Sequence, residues 1–275
     1  MISPRTRALI EMALSEDIGH GDVTSLATVP ADATAVASLV ARSPLIVSGL
    51  EVALEVFRTV DPTLEISTHA EDGDWMPEPA AIATISGSAR SILTAERSAL
   101  NFIQHLSGVA TLTDQYVMAV QELPAIIVDT RKTTPGFREL DKAAVRHGGG
   151  ANHRFGLDDG ILIKDNHIVA AGGLTAAVTA AQQEGGYLLR VEVECDTLDQ
   201  VREALAARAD MVLLDNMSND ELRQAVALCA GHAVAEASGG VNLQTVRGIA
   251  ETGVDFISVG ALTHSAPAAD LALDF

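Results

Sequence analysis

From Pro124 onward, apolar, β-rich runs at 125–129, 161–164, 188–194, 210–214, 233–237 and 254–259 alternate with helical patterns at 174–184, 197–207, 219–230 and 243–252. Four successive strand starts, at 188, 210, 233 and 254, lie 21 to 23 residues apart. Repeated βα units place their strands parallel in one sheet, and so many in series favour a complete or partial (β/α) barrel, with an open doubly wound sheet as the alternative. Apolar residues make up 48% of the chain but aromatics only 3%. Ala, Val, Leu and Ile must therefore fill the core, which suits buried strands under closely packed helices.

The first 90 residues read differently. An amphipathic helix is expected over 4–18, ending at Gly19, followed by a turn-rich loop through Gly21-Asp22-Val23-Thr24. Two short strand-like runs in 33–50, a helix at 51–59, a tight turn at Asp72-Gly73-Asp74 and a strand at 80–86 complete a small α+β unit. From Leu93 to about Gln121 the pattern is helical, read as two helices broken near Gly108. Arg97, Asn101 and His105 recur every four residues there. That polar stripe is either a solvated helix face or the place from which Arg97 reaches a site made elsewhere.

Charge narrows the function. The chain has a formal charge of −19 and only three lysines, Lys132, Lys142 and Lys164, all within 129–167. Arg131, Arg138, Arg146 and Arg154 join them, so 7 of 18 basic residues fall in that stretch. Cations held close together repel unless an anion comes between them, so a pocket for a multiply charged anion is expected. The acidic balance argues against nucleic acid as a partner. No run of about 18 apolar residues occurs and no signal-peptide pattern opens the chain, so a soluble, cytoplasmic protein with no membrane partner is expected. Cys195 and Cys229 lack metal-ligand spacing and read as reduced, buried, small hydrophobes.

In a parallel α/β barrel the chemistry sits where strands end and loops begin. Here those tips are Thr130-Arg131-Lys132, Lys164-Asp165-Asn166, Glu194, Asp215-Asn216, Ser238-Gly239-Gly240 and Val259-Gly260-Ala261. Arg offers a fork suited to a carboxylate, and Lys a point charge suited to a phosphate. His153-Arg154 follows Gly148-Gly149-Gly150, glycines that let the backbone approach a ligand or take positive φ. Lys164 ends the apolar run Ile161-Leu162-Ile163 and must there meet an anion, lose its proton or act as a nucleophile. Glu192 and Glu194 alternate with Val191 and Val193, so both face one side of their strand. Asp215 ends Val212-Leu213-Leu214 in the same way. The loop at 238–240 is expected to open a helix near Asn242 and, with the one at 259–261, to offer free backbone N–H groups to a phosphate.

Together these residues resemble the quinolinate phosphoribosyltransferases, also called carboxylating nicotinate-nucleotide pyrophosphorylases. The resemblance runs through Asp129-Thr130-Arg131-Lys132-Thr133, Pro135-Gly136, Asn152-His153-Arg154, Ile163-Lys164-Asp165-Asn166-His167, Val191-Glu192-Val193-Glu194, Leu213-Leu214-Asp215-Asn216 and Glu236-Ala237-Ser238-Gly239-Gly240. Upstream, Asp17, Gly21-Asp22-Val23-Thr24 and Leu93-Thr94-Ala95-Glu96-Arg97 also fit. It implies an N-terminal α/β sandwich domain over 1–108 and an incomplete α/β barrel over 109–275, with a return of the last residues to the first domain allowed. It also implies a homodimer with shared sites, in which Arg97 is lent across the interface.

The implied reaction joins quinolinate to 5-phosphoribosyl 1-diphosphate with Mg²⁺, giving nicotinate mononucleotide, diphosphate and CO₂ on the way to NAD. By the same resemblance Arg131, His153, Arg154 and Lys164, helped by Arg97, hold the pyridine dicarboxylate. Lys132 faces the diphosphate, with Thr130 beside it, and Glu194 and Asp215 face the ribose hydroxyls or reach the metal through water. Ser238, Gly239, Gly240, Val259, Gly260 and Ala261 take the 5-phosphate. Lys132, Lys164, Glu194 and Asp215 are the expected catalytic set.

Overall fold

The computed structural model describes residues 2–186 and 188–275. It divides into two compact units, one made of the chain up to Asp114 with 134–149 and 265–275, the other of Gln115–Thr133 and Gly150–His264.

The first unit begins with helix α1, Pro4–Ile18, capped by Ser3, whose hydroxyl accepts the Thr6 N–H at 3.1 Å. A second helix, α2, Val23–Thr28, occupies the segment expected to be a loop, because the Asp22 carboxylate caps it by accepting the Ser25 N–H at 2.9 Å. There follow β1 (Thr34–Ala41), β2 (Leu45–Ile46), α3 (Leu50–Val60), β3 (Glu65–Thr68), β4 (Trp75–Met76) and β5 (Ala80–Ser88). Helix α4 runs unbroken over Ala89–Val120, so the expected break near Gly108 does not occur. Gly108 is there for another reason: a Cβ on it would lie 2.1 Å from the Pro267 carbonyl oxygen.

Past β6 (Ile126–Val128), helix α5 (Arg138–His147) returns to this first unit. It carries Arg138, Lys142 and Arg146, three of the clustered cations, and Lys142 is 2% exposed. Gly148 follows, where a Cβ would come within 2.2 Å of the Ala110 carbonyl oxygen. It serves helix packing, while Gly149 next to it takes positive φ.

The rest of the chain adds β7 (Ile161–Ile163), α6 (Asp165–Ala171), α7 (Leu174–Glu184), β8 (Val191–Cys195), α8 (Leu198–Ala206), β9 (Met211–Asp215), α9 (Asn219–Cys229), β10 (Val234–Ser238), α10 (Val246–Ala250), β11 (Phe256–Ser258), α11 (Ala261–His264) and β12 (Leu271–Asp274). β12 pairs antiparallel with β1, giving the first unit a four-stranded sheet in the order β12-β1-β5-β3. Ile10, Phe57, Ile82, Ile85, Ile92 and Ile103 are among the residues buried in its core.

In the second unit six parallel strands run β6-β11-β10-β9-β8-β7, and Ala151 adds a parallel bridge beyond β6. Among the described residues no pairing joins that end to β7, so the ring stays open as an incomplete barrel. Capping boxes at Thr197/Gln200 and Ser218/Glu221 start α8 and α9 where the strands have ended. Against the expected pattern, α10 begins at Val246 rather than near Asn242, β8 begins at Val191 rather than 188, and the short helices α6 and α11 are additional. Among the described residues, no helix is long and apolar enough to cross a membrane.

Candidate active site

Parallel strands present all their carboxyl ends at one rim, and period-two alternation aims every second side chain the same way. On β8 this leaves Val191, Val193 and Cys195 buried, with Glu192 and Glu194 on the other face. The register carries that face across the sheet, pairing Glu194 with Leu213, Leu213 with Glu236, and Asp215 with Ser238. The result is a cavity of about 420 Å³ lined by Thr130, Arg131, Lys132, His153, Arg154, Lys164, Glu194, Asp215 and Ser238, with Leu162, Leu213, Glu236 and Ser258 among them. That volume suits a small ligand.

All the expected polar residues up to Ser238 in the second unit thus meet in one place. Gly239 and Gly240 follow with φ of 87° and 61°, and a Cβ on Gly260 would touch Lys132 Cδ at 3.2 Å. Arg97 lies on α4 in the first unit and is exposed. The gathered cations divide: Arg131, Lys132, Arg154 and Lys164 line the cavity, whereas Arg138, Lys142 and Arg146 belong to α5.

Of the three outcomes open to Lys164, it meets an anion, its Nζ pairing with Glu194 Oε2. Thr130 Oγ1 accepts the Lys132 N–H at 3.0 Å, and the Lys132 carbonyl accepts from Thr263 Oγ1 at 3.0 Å, pinning that short loop at both faces. Arg154 donates to the Gly160 carbonyl at 2.9 Å. Burial and the neighbouring Arg131 pull its guanidinium below the usual value, against the opposing pull of Glu192. It stays charged at neutral pH all the same. Two guanidiniums that repel across a cavity are relieved by an anion placed between them.

Asp129 is an organiser that strand-tip reasoning passed over. It is fully buried, and its two oxygens accept the His153 N–H at 2.9 Å and the Asn152 side-chain amide at 2.7 Å. His153 is held on both ring nitrogens. Nδ1 accepts the Arg154 N–H at 2.7 Å, which places the ring proton on Nε2, and Nε2 lies 3.0 Å from Glu192 and 3.6 Å from Glu236. The ring therefore ties the Arg154 backbone to two carboxylates. Burial pushes Glu236 up to about 7, helped by the charge of Glu192 and opposed by His153 and Ser258. Glu236 escaped the strand-tip reading because it sits inside β10, and Ser258 because it closes β11 just before the Val259-Gly260-Ala261 tip. The available signal was period two, since Glu236 precedes Ser238 by two positions and Ser258 precedes Gly260 by two. Cys195 and Cys229 are buried thiols, pushed up to about 12 and about 11, chiefly by burial.

The fold and the cavity define a class: an incomplete α/β barrel that gathers cations at its strand ends and sets carboxylates beside them. Family models narrow it further, with the quinolinate phosphoribosyl transferase C-terminal domain matching residues 109–274 and its N-terminal domain matching 22–107. A Bacillus subtilis protein named "Probable nicotinate-nucleotide pyrophosphorylase (carboxylating)" is 42% identical over 268 residues, covering 98% of this chain and 92% of that protein. The chloroplastic nicotinate-nucleotide pyrophosphorylase (carboxylating) of Arabidopsis thaliana is 44% identical over 97% of this chain and 82% of its own. The solved nicotinate-nucleotide pyrophosphorylase of Francisella tularensis is 43% identical and superposes with a TM-score of 0.94 over 99% of this chain and 97% of that one. The chain belongs to the quinolinate phosphoribosyltransferase family.

Proposed function

We propose that the cavity at the barrel rim carries out the reaction of this family on quinolinate and 5-phosphoribosyl 1-diphosphate, with residue roles as follows. The enzyme is a pentosyltransferase of NAD biosynthesis. The ring nitrogen of quinolinate bonds to C1 of the ribose as the bond to diphosphate breaks. The 2-carboxylate then leaves as CO₂, its bonding electrons stay on the ring carbon beside the cationic nitrogen, and a proton takes its place. The observation that carries this reading is the meeting of Arg131, Lys132, Arg154 and Lys164 with Glu194 and Asp215 in one cavity.

Arg131, Arg154 and Lys164 hold the two ring carboxylates, and His153 supports Arg154 from below. Charge-assisted hydrogen bonds of roughly 1.5–3 kcal/mol each make the second carboxylate matter, because its absence leaves cations unpaired. Lys132 stabilises the departing diphosphate, while Glu194 and Asp215 favour the positive charge that develops on the ribose. The glycine turns after Ser238 and Ser258 receive the 5-phosphate with backbone N–H groups. Mg²⁺ fits this rim, whose available donors are hard oxygens. Glu194 is paired with the Lys164 cation, whereas Asp215 accepts, among the described residues, only from the neutral Asn216 amide, so Asp215 is the carboxylate that would hold the ion, through water. When bound, the ion neutralises charge on the leaving diphosphate.

The working form is a cytoplasmic homodimer in which Arg97 of one copy completes the other's site. Purified protein given quinolinate, 5-phosphoribosyl 1-diphosphate and Mg²⁺ is expected to release CO₂ and nicotinate mononucleotide, with nicotinate inert as the control acceptor. Absence of product from folded protein would overturn the assignment. Mixing inactive Arg97→Ala with inactive Lys164→Ala should restore roughly a quarter of wild-type sites through hybrid dimers, and no restoration would remove Arg97 from the partner's site.

A further inference from the structure

Beneath the rim, one ligand atom each from His153, Glu192 and Glu236 lies within 4.8 Å of the other two. Glu192 is 4% exposed and Glu236 1%. Two carboxylates buried side by side cannot both stay charged cheaply. The ring of His153 supplies a single N–H to the pair, since its other nitrogen already accepts from the Arg154 backbone. One oxygen of each carboxylate, Oε1 of Glu192 and Oε1 of Glu236, is buried with no hydrogen-bond partner among the described residues. The Ser258 hydroxyl also reaches Glu236, yet each acid keeps one buried oxygen without a donor, and the pair is a proton short.

We propose that Glu236 carries that proton and acts as a positioning residue, so that the Glu192–Glu236 pair bears one negative charge and the cavity above it stays net positive for anionic substrates. This rests on the function proposed above. Four cations line the cavity, Arg131, Lys132, Arg154 and Lys164, with the carboxylates Glu194, Asp215 and Glu236, and a fourth carboxylate, Glu192, lies behind them against His153. With all four acids ionised the balance is zero; with Glu236 neutral it is positive by one. The groups facing Glu236 are Glu192 from β8, His153 from the loop before β7, Ser258 from β11 and, in register on β9, Leu213. The rise of its carboxyl to about 7 agrees with a proton held by geometry.

The test pairs a spectroscopic readout with kinetics. Infrared difference spectra of the substrate-free protein at about pH 6, where ordinary carboxylates are ionised, should contain a protonated-carboxyl stretch that Glu236→Gln removes. The comparison with the variant matters because burial also raises Asp72 and Asp114. In Glu192→Gln the same band should persist but titrate at lower pH, its like-charged neighbour gone. In steady state, wild-type KM for quinolinate should rise several-fold as pH climbs through about 7 while kcat changes less, and Glu236→Gln should lack that rise.

A band untouched by Glu236→Gln, an identical alkaline limb in that variant, or a stoichiometric metal bound by wild type and lost in it would each overturn the proposal. Because the band is read without substrate, the two hypotheses fail separately. A band without turnover sinks the reaction alone; turnover without the band sinks the proton alone.

Discussion

The floor and the rim of the cavity are built from the same strands two residues apart, and they differ in almost every physical respect. On β8, Glu192 lies at the floor with a 6% exposed side chain and engages His153, while Glu194 lies at the rim, 17% exposed, and engages Lys164. On β10, Glu236 is buried and Ser238, partly exposed, lines the cavity at the strand end. One step of roughly 6.6 Å along a strand separates a carboxylate held as scaffolding from one available for chemistry. Residue type alone does not assign a role; depth along the strand does.

The largest expected effect lies at the rim. Arg131→Ala or Lys164→Ala should lower kcat/KM by about a thousandfold or more with circular dichroism and melting unchanged, since each removes charge the substrate needs. A loss of about tenfold or less would mean that the rim cations do not carry substrate recognition.

That division was only half legible from the sequence. The rim could be read because parallel strands end together, so Lys164, Glu194 and Asp215 stand out as polar residues closing apolar runs. The floor could not, since a glutamate within Val234-Ala235-Glu236-Ala237-Ser238 looks like any inward polar residue until the register sets it beside Glu192 and His153. Asp129 stood in a recognisable motif, yet its two hydrogen bonds to the 152–153 segment depend on a chain reversal of more than 20 residues. Proximity along the chain also misled about cations, because helix α5 takes Arg138, Lys142 and Arg146 into the other unit. The missed helix α2 is short and rests on a cap, and Gly108 resembles a helix breaker until the Pro267 backbone is placed against it.

A middle-sized effect contrasts the two glutamates of β8. Glu192→Ala should destabilise the fold by about 3 kcal/mol, since it strips a buried partner from His153. Glu194→Gln should change stability by about 1 kcal/mol or less while cutting turnover. Urea unfolding of both variants measures this, and equal losses would erase the contrast.

The smallest effect is the pH dependence of stability at Glu236. Its folded pKa is raised, so its contribution is fully present below the unfolded value near 4.3 and is lost as pH rises through about 7. Relative to Glu236→Gln, wild-type stability should fall by about 2–3 kcal/mol between roughly pH 5 and pH 8. Parallel pH curves for the two proteins would place no titrating acid at the floor.

Recognition of a di-acid by the rim cations is tested most directly by calorimetric binding of quinolinate and nicotinate to wild type and to Arg131→Ala. Quinolinate should bind wild type at least about a hundredfold more tightly than nicotinate does, and Arg131→Ala should lose most of that preference. Equal affinities in wild type, or a preference untouched by Arg131→Ala, would contradict the claim that the rim cations recognise the second carboxylate.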